Sequence, residues 1–177
     1  CGLMGREFAS AAARWCHLLG VHARPEIVAL ANRSPGPLEW FRTHFPTVRV
    51  FSADYRDVLS HPDVDAVYVA VPHHRHEELY CAAIRAGKHL MGEKPFGIDR
   101  AANQAIRAEL DQHPQVFARC ASQWMFFPAA QRIGDLLSQG ACGRILEVNS
   151  GFLHSSDLDP DKPINWKRQV EYNGEYG

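Results

Sequence analysis

A chain of 177 residues makes one domain, or one domain and part of another, at roughly 100 to 200 residues per domain. Its 46% hydrophobic and 22% charged residues are ordinary globular values, which argues against intrinsic disorder, collagen and coiled coil, and no apolar run approaches the roughly 20 residues that span a bilayer. With 19 Lys and Arg against 20 Asp and Glu, the net charge of -1 suits no phosphate backbone, and no signal-peptide pattern opens the chain; a soluble cytoplasmic protein with no nucleic acid or membrane partner is expected.

From Gly5 to Leu19 the sequence is rich in helix formers, with Phe8, Ala12, Trp15 and Leu19 on one face, and Gly20 closes the run. Glu26 to Ala31 reads as a strand ended by the turn residues Asn32-Arg33-Ser34-Pro35-Gly36. A helix starting near Pro37 carries Leu38, Phe41 and Phe45, and a brief strand, Val48 to Phe51, precedes a short helix capped within Ser52-Ala53-Asp54. Ala66 to Val71 is the most β-like run and is apolar on both faces, the pattern of a strand covered on both sides. Pro72 stops it, a helix runs from about Arg75 to Ala86, and His89 to Gly92 leads into Glu93-Lys94-Pro95. Asp99 is placed to cap a helix with Ala102, Ile106 and Leu110 as its buried stripe, and Val116 to Ser122 forms the next strand.

This alternation of strand and helix predicts an α/β fold, a doubly wound parallel sheet with helices on both faces. After Gln123 the rhythm changes: a helix over Pro128 to Gln139, a long strand over Ile145 to Leu153, and a polar, aromatic-rich tail from Ser155. The expected division is a dinucleotide-binding unit over 1–122 and the beginning of a second unit over 123–177. The five cysteines have no C-x-x-C spacing and read as small buried thiols.

Four segments carry chemistry. Cys1-Gly2-Leu3-Met4-Gly5 has the spacing of the last five positions of G-x-G-x-x-G, in which glycines let a pyrophosphate approach a helix amino terminus; a plain helix start is the alternative. At the end of the second strand of such a fold an acid favours NAD, whereas Asn32-Arg33-Ser34 contains none and leans to NADP, Arg33 being otherwise a solvated loop cation. Glu93-Lys94-Pro95 ends a strand where open α/β sheets bind ligands, and Lys94 there can exchange a proton with a substrate oxygen; a surface ion pair is the alternative. His73, His74 and His76 crowd one turn too closely to converge on one metal ion, and a cofactor-loop role fits better.

Gly2-Leu3-Met4-Gly5, Ala70-Val71-Pro72-His73-His74-Arg75-His76, Ala86-Gly87-Lys88-His89, Glu93-Lys94-Pro95 and Gly140-Ala141-Cys142-Gly143, in this order, resemble the Gfo/Idh/MocA family of oxidoreductases. The resemblance implies a Rossmann domain for NAD or NADP, then an α/β domain with a large open sheet that covers the substrate and mediates homo-oligomer contacts. It implies hydride transfer between the nicotinamide and a hydroxyl or carbonyl carbon of a sugar or polyol. Lys94 then corresponds to the catalytic or substrate-orienting lysine, and Gly2, Leu3, Met4, Gly5, Asn32, Arg33, Ser34, Pro72, His73, His76, Glu93, Lys94 and Pro95 to the cofactor site, with Pro95 in a cis turn. Trp166-Lys167-Arg168 is similar to the family's Trp-Arg segment, which implies that Trp166 and Arg168 contact substrate.

His73 replaces the family's usual Asn, Met125 a usual Arg, and the downstream Asp and His of many members do not follow. A cofactor-binding regulator that has lost its chemistry is the rival reading. The resemblance also marks the sequence as a fragment without the first, central strand and most of the second domain. Buried backbone groups left unpaired there cost on the order of 1 to 3 kcal/mol each, so the fragment alone is expected to fold poorly and to be inactive.

Overall fold

The computed structural model describes residues 1–20, 23–155 and 158–174. Helix α1 (Leu3–Ala13), strand β1 (Ala29–Ala31), α2 (Gly36–His44), β2 (Val50–Ser52), α3 (Tyr55–Leu59) and β3 (Ala66–Val69) follow one another in the first part. They are succeeded by α4 (His76–Arg85), β4 (His89–Gly92), α5 (Arg100–Gln112), β5 (Ala118–Cys120), α6 (Pro128–Ser138) and α7 (Val170–Asn173). All strand pairs are parallel, β1 with β2 in one sheet and β3-β4-β5 in order in another. The fold is therefore α/β of Rossmann type, each pair being joined by a helical crossover that parallel strands require. None of the described helices is long and apolar enough to cross a membrane.

The main core lies where α4 and α5 pack side by side on the three-stranded sheet. Tyr80, Cys81, Ala83 and Ile84 of α4 meet Ile106 of α5, Leu90 of β4, Val67 of β3, and Val64 and Val116 from the strand entrances. Alternation along β3 sends Tyr68 to the opposite face, where Phe8 of α1 stacks on it at 4.2 Å between ring centroids and 13° between planes. Helices thus flank both faces, although β3 is less fully covered than its apolar composition suggests: Val67 is buried, Tyr68 and Val69 half-buried, and Ala66 exposed.

Local chemistry fixes the helix ends. Asp54 and Asp99 cap α3 and α5 by accepting from the amides of Arg56 at 2.9 Å and Ala102 at 2.8 Å. Lys88 donates to the carbonyls of His61 and Val64, at 3.0 and 2.7 Å, tying the entrance of β4 to that of β3. The carboxylate of Glu109, almost fully buried on α5, is paired with Arg85 of α4.

Two expectations change. Residues 145–153 form no strand and lie exposed, with Leu146 82% and Leu153 98% accessible. Apolar and β-branched residues make a segment able to enter a sheet, but a strand exists only where a neighbour accepts its backbone bonds, and none does so among the described residues. Of the cysteines only Cys81 is buried; Cys16 and Cys142 are exposed and Cys1 and Cys120 intermediate.

Gly92 ends β4 directly against Tyr80: a Cβ at that position would lie 2.5 Å from the ring's Cζ. Gly92→Ala should therefore destabilise the full-length protein by about 1 to 3 kcal/mol through overpacking, read as a lower denaturant midpoint at unchanged m-value. An unchanged midpoint would mean that the Tyr80 ring moves aside freely.

Candidate active site

Parallel strands deliver their carboxyl ends to one edge of the sheet, and the sequence-singled segments follow those ends. β1 leads into Asn32-Arg33-Ser34, β3 into Pro72-His73, β4 into Glu93-Lys94-Pro95, and β5 ends at Cys120, opposite Gly92. The start of α1 meets the first of these. The amino group of Cys1 donates to Asn32 Oδ1 at 3.3 Å and its thiol lies 3.5 Å from the Ala31 carbonyl. Asn32 in turn donates to the Ser34 carbonyl at 2.7 Å, closing the turn and leaving Arg33 and Ser34 exposed.

Gly2 is the residue preceding α1, and no side chain caps the helix. The first helical bond of the backbone is Arg6 N–H to Gly2 C=O at 3.1 Å, so the amides of Leu3, Met4 and Gly5 precede the ladder. A Cβ on Gly2 would meet nothing within 4 Å. Free amides, the positive end of an 11-residue helix and open space fit a pyrophosphate.

The loop after β4 is held from three directions. Tyr80 donates its hydroxyl proton to the Glu93 carbonyl at 2.7 Å, Tyr68 donates to Glu93 Oε1 at 2.5 Å, and His76 Nδ1 lies 2.7 Å from the Pro95 carbonyl. Burial raises both tyrosine hydroxyls above their ordinary range, with the Glu93 carboxylate adding to the effect at Tyr68, so both remain donors. Lys94 and Pro95 are joined by a cis peptide, and Lys94 is exposed at the sheet edge.

His76 corrects the expectation that it lines a cofactor. It has no exposed surface, and its second ring nitrogen, Nε2, lies 3.0 Å from the Val71 carbonyl. Burial holds its pKa below the ordinary value, the two carbonyls partly offsetting this. A neutral imidazole has one N–H for those two acceptors, and what it does is clamp the loop after β3 to the loop after β4.

The polar tail from Ser155 is expected to be loop-like, yet Trp166 to Gly174 returns to the site. Trp166–Arg168 forms a 3-10 turn followed by α7, and Glu175 to Gly177 lie outside the described residues. Trp166 meets His73 edge to face at 5.0 Å, and Tyr172 meets His74 at 4.9 Å. Gly174, at φ 78°, presses so close to Ile98 that a Cβ would lie 2.8 Å from its carbonyl oxygen. Asn173, buried beneath, donates to the Lys167 carbonyl at 2.9 Å. The cap Asn165, whose side chain accepts from the Lys167 amide, is the readable signal, an Asx residue ahead of a turn being the ordinary mark of a helix start.

His73 thus sits among Trp166, His76, Lys94, Lys167 and Asn173. Its pKa is pushed down to about 4, first by burial, then by His76 and the Lys94 and Lys167 cations, with Asn173 opposing and raising it. Its Nδ1 and the Asn173 Oδ1 are buried without a hydrogen bond of good geometry. Among the described residues no three His, Cys, Asp or Glu side chains are grouped to hold a metal ion.

The sign of the resulting pH effect is fixed. Below its ordinary value of 6.5 the unfolded chain protonates His73, while the folded site refuses the proton until about pH 4, so stability falls as pH drops through that window. Unfolding midpoints of the full-length protein measured across it should decline less steeply for His73→Asn than for the parent. Parallel curves would remove this account of His73.

Comparison with known proteins identifies the setting. The model of the Gfo/Idh/MocA oxidoreductase family, described as having an NAD-binding Rossmann fold, matches residues 1–119. Levoglucosan dehydrogenase of Pseudarthrobacter phenanthrenivorans is 29% identical over 123 residues, covering 70% of this chain and 31% of that protein. The dTDP-3,4-didehydro-2,6-dideoxy-alpha-D-glucose 3-reductase of Saccharopolyspora spinosa is 32% identical over 148 residues, covering 84% and 43%. A solved levoglucosan dehydrogenase in complex with NADH and levoglucosan superposes with a TM-score of 0.89 at 26% identity over 98% of this chain and 46% of that one. The chain spans less than half the length of these relatives, and by its sequence match and its fold it belongs to the Gfo/Idh/MocA oxidoreductase family.

Proposed function

We propose that the protein is a nicotinamide-dependent oxidoreductase that moves a hydride between its cofactor and a hydroxyl or carbonyl carbon of a sugar or polyol. The observation that carries this reading is the pinned Glu93-Lys94-Pro95 loop, which presents an exposed lysine at the strand ends and is tied through His76 to the loop after β3. The family match and relatives named as dehydrogenases support the same chemistry.

In this reading the amides of Leu3, Met4 and Gly5, with Gly2 leaving room, hold the pyrophosphate, and Asn32, Arg33 and Ser34 face the adenosine ribose. Arg33, exposed and with no acid in its turn, favours the extra phosphate of NADP over NAD. Pro72, His73, Glu93, Lys94 and Pro95 line the other end, where a bound nicotinamide supplies the hydride acceptor or donor. Lys94 Nζ, as the ammonium, donates a proton to the substrate oxygen in the reducing direction and, as the amine that results, takes the hydroxyl proton back in the oxidising one. Trp166 and Arg168, in the unit beginning at 123, contact the substrate; that unit also carries the contacts of a homo-oligomer, and the protein works in the cytoplasm.

Hydride transfer by the full-length protein, followed by NAD(P)H absorbance over a polyol panel, tests this directly. Lys94→Ala should lower the rate by about 100-fold or more if the lysine moves the proton. NADPH should bind roughly tenfold tighter than NADH, with Arg33→Asp abolishing the difference. No turnover of any polyol would favour a binding protein without chemistry.

A further inference from the structure

Among the described residues two side-chain atoms are buried without a hydrogen bond of good geometry, His73 Nδ1 and Asn173 Oδ1. Buried polar atoms are almost always paired, so two orphans on elements that pack against each other call for one explanation. Helix α7 lies on the 3-10 turn His73–Arg75, with Trp166 edge to face on His73 and Tyr172 edge to face on His74. Asn173 follows Tyr172 directly and reaches back to the carbonyl of Lys167, beside Trp166, so the two ring contacts bracket it.

The chemistry of the pair is complementary. Asn173 Nδ2 donates to the Lys167 carbonyl at 2.9 Å, which fixes the orientation of the side-chain amide: the atom left over is the oxygen, an acceptor. On the histidine that oxygen can be satisfied only by a ring N–H, and a neutral imidazole carries a single one. The proton then belongs on Nδ1 and the lone pair on Nε2. Burial, His76 of α4, Lys94 of the loop after β4 and Lys167 of the turn before α7 all disfavour a second proton on the ring, whereas Asn173 favours it, as an oxygen facing a ring N–H does.

We propose that Asn173 is a positioning residue for His73: its side-chain oxygen accepts the Nδ1 proton, holds α7 on the loop after β3 and leaves Nε2 as the acceptor that the ring offers at the nicotinamide end of the site. Only the last step rests on the reading above, in which His73 lines that end. The tautomer follows from the pair of buried atoms and the bond that orients the amide.

Nitrogen NMR of the full-length protein with labelled histidine at neutral pH, with His73 assigned by its loss in His73→Asn, reads the tautomer directly. The expected spectrum has Nδ1 protonated and Nε2 bare. Asn173→Asp keeps the oxygen and adds charge; it should keep that tautomer and raise the His73 midpoint from about 4 by about one pH unit or more, the acid limb of kcat/KM moving with it. Asn173→Leu should let both tautomers populate. A parent His73 protonated at Nε2 would overturn the inference, as would a midpoint unmoved in Asn173→Asp; the parent spectrum needs no change at 173, so misfolding of either variant leaves that decision intact. The Nδ1 tautomer without hydride transfer at any pH would refute the oxidoreductase reading alone; turnover with the Nε2 tautomer would refute only this inference.

Discussion

The position of Lys94 depends on a loop that cannot choose its own shape. Residues 93–95 follow a strand ended by Gly92, whose missing side chain lets the Tyr80 ring come against the backbone. The Tyr80 hydroxyl then takes the Glu93 carbonyl, Tyr68 takes the Glu93 carboxylate and His76 takes the Pro95 carbonyl. Each such bond contributes only about 0.5 to 1.5 kcal/mol net, but leaving any of these buried groups unpaired costs more, so the arrangement holds as a set. All three donors lie on elements of the core: β3 supplies Tyr68, and α4 supplies His76 and Tyr80.

The same residues couple the two ends of the site. Phe8 stacks on Tyr68, so the helix whose amino terminus offers free amides rests on the residue that bonds Glu93. His76 joins the loops after β3 and β4, and His73, at the start of its 3-10 turn, receives Trp166 from far along the chain. Site residues sit on loops while the rigidity comes from the packed strands and helices beneath, a common division of labour in α/β proteins.

Much of this was legible in the sequence. The elements from α1 to α6 follow from hydrophobic period, turn residues and caps, with ends shifted by a few residues, as where Ala66 to Val71 ends in the structure at Val69. Asp99 was readable as a cap because an Asx ahead of an apolar stripe has few other uses. What escaped needed a partner in space. Residues 145–153 carry enough apolar residues to read as a strand, but composition does not supply a neighbour to pair with. His76 looked like one of three loop histidines, and only the fold reveals that its ring is buried between two carbonyls. Tyr68 read as one apolar residue in a covered strand, while its hydroxyl is what holds Glu93. Asn173 carries no signal because its significance lies beside His73, far earlier in the chain.

The most direct test of the central claim is a crystal structure of the full-length protein with NADPH bound. The account predicts the pyrophosphate against the amides of Leu3 to Gly5, the nicotinamide beside Lys94 Nζ, and the Tyr68, Tyr80 and His76 bonds to residues 93–95 unchanged. A dinucleotide lying elsewhere, or a Lys94 side chain turned away from the ring, would contradict it.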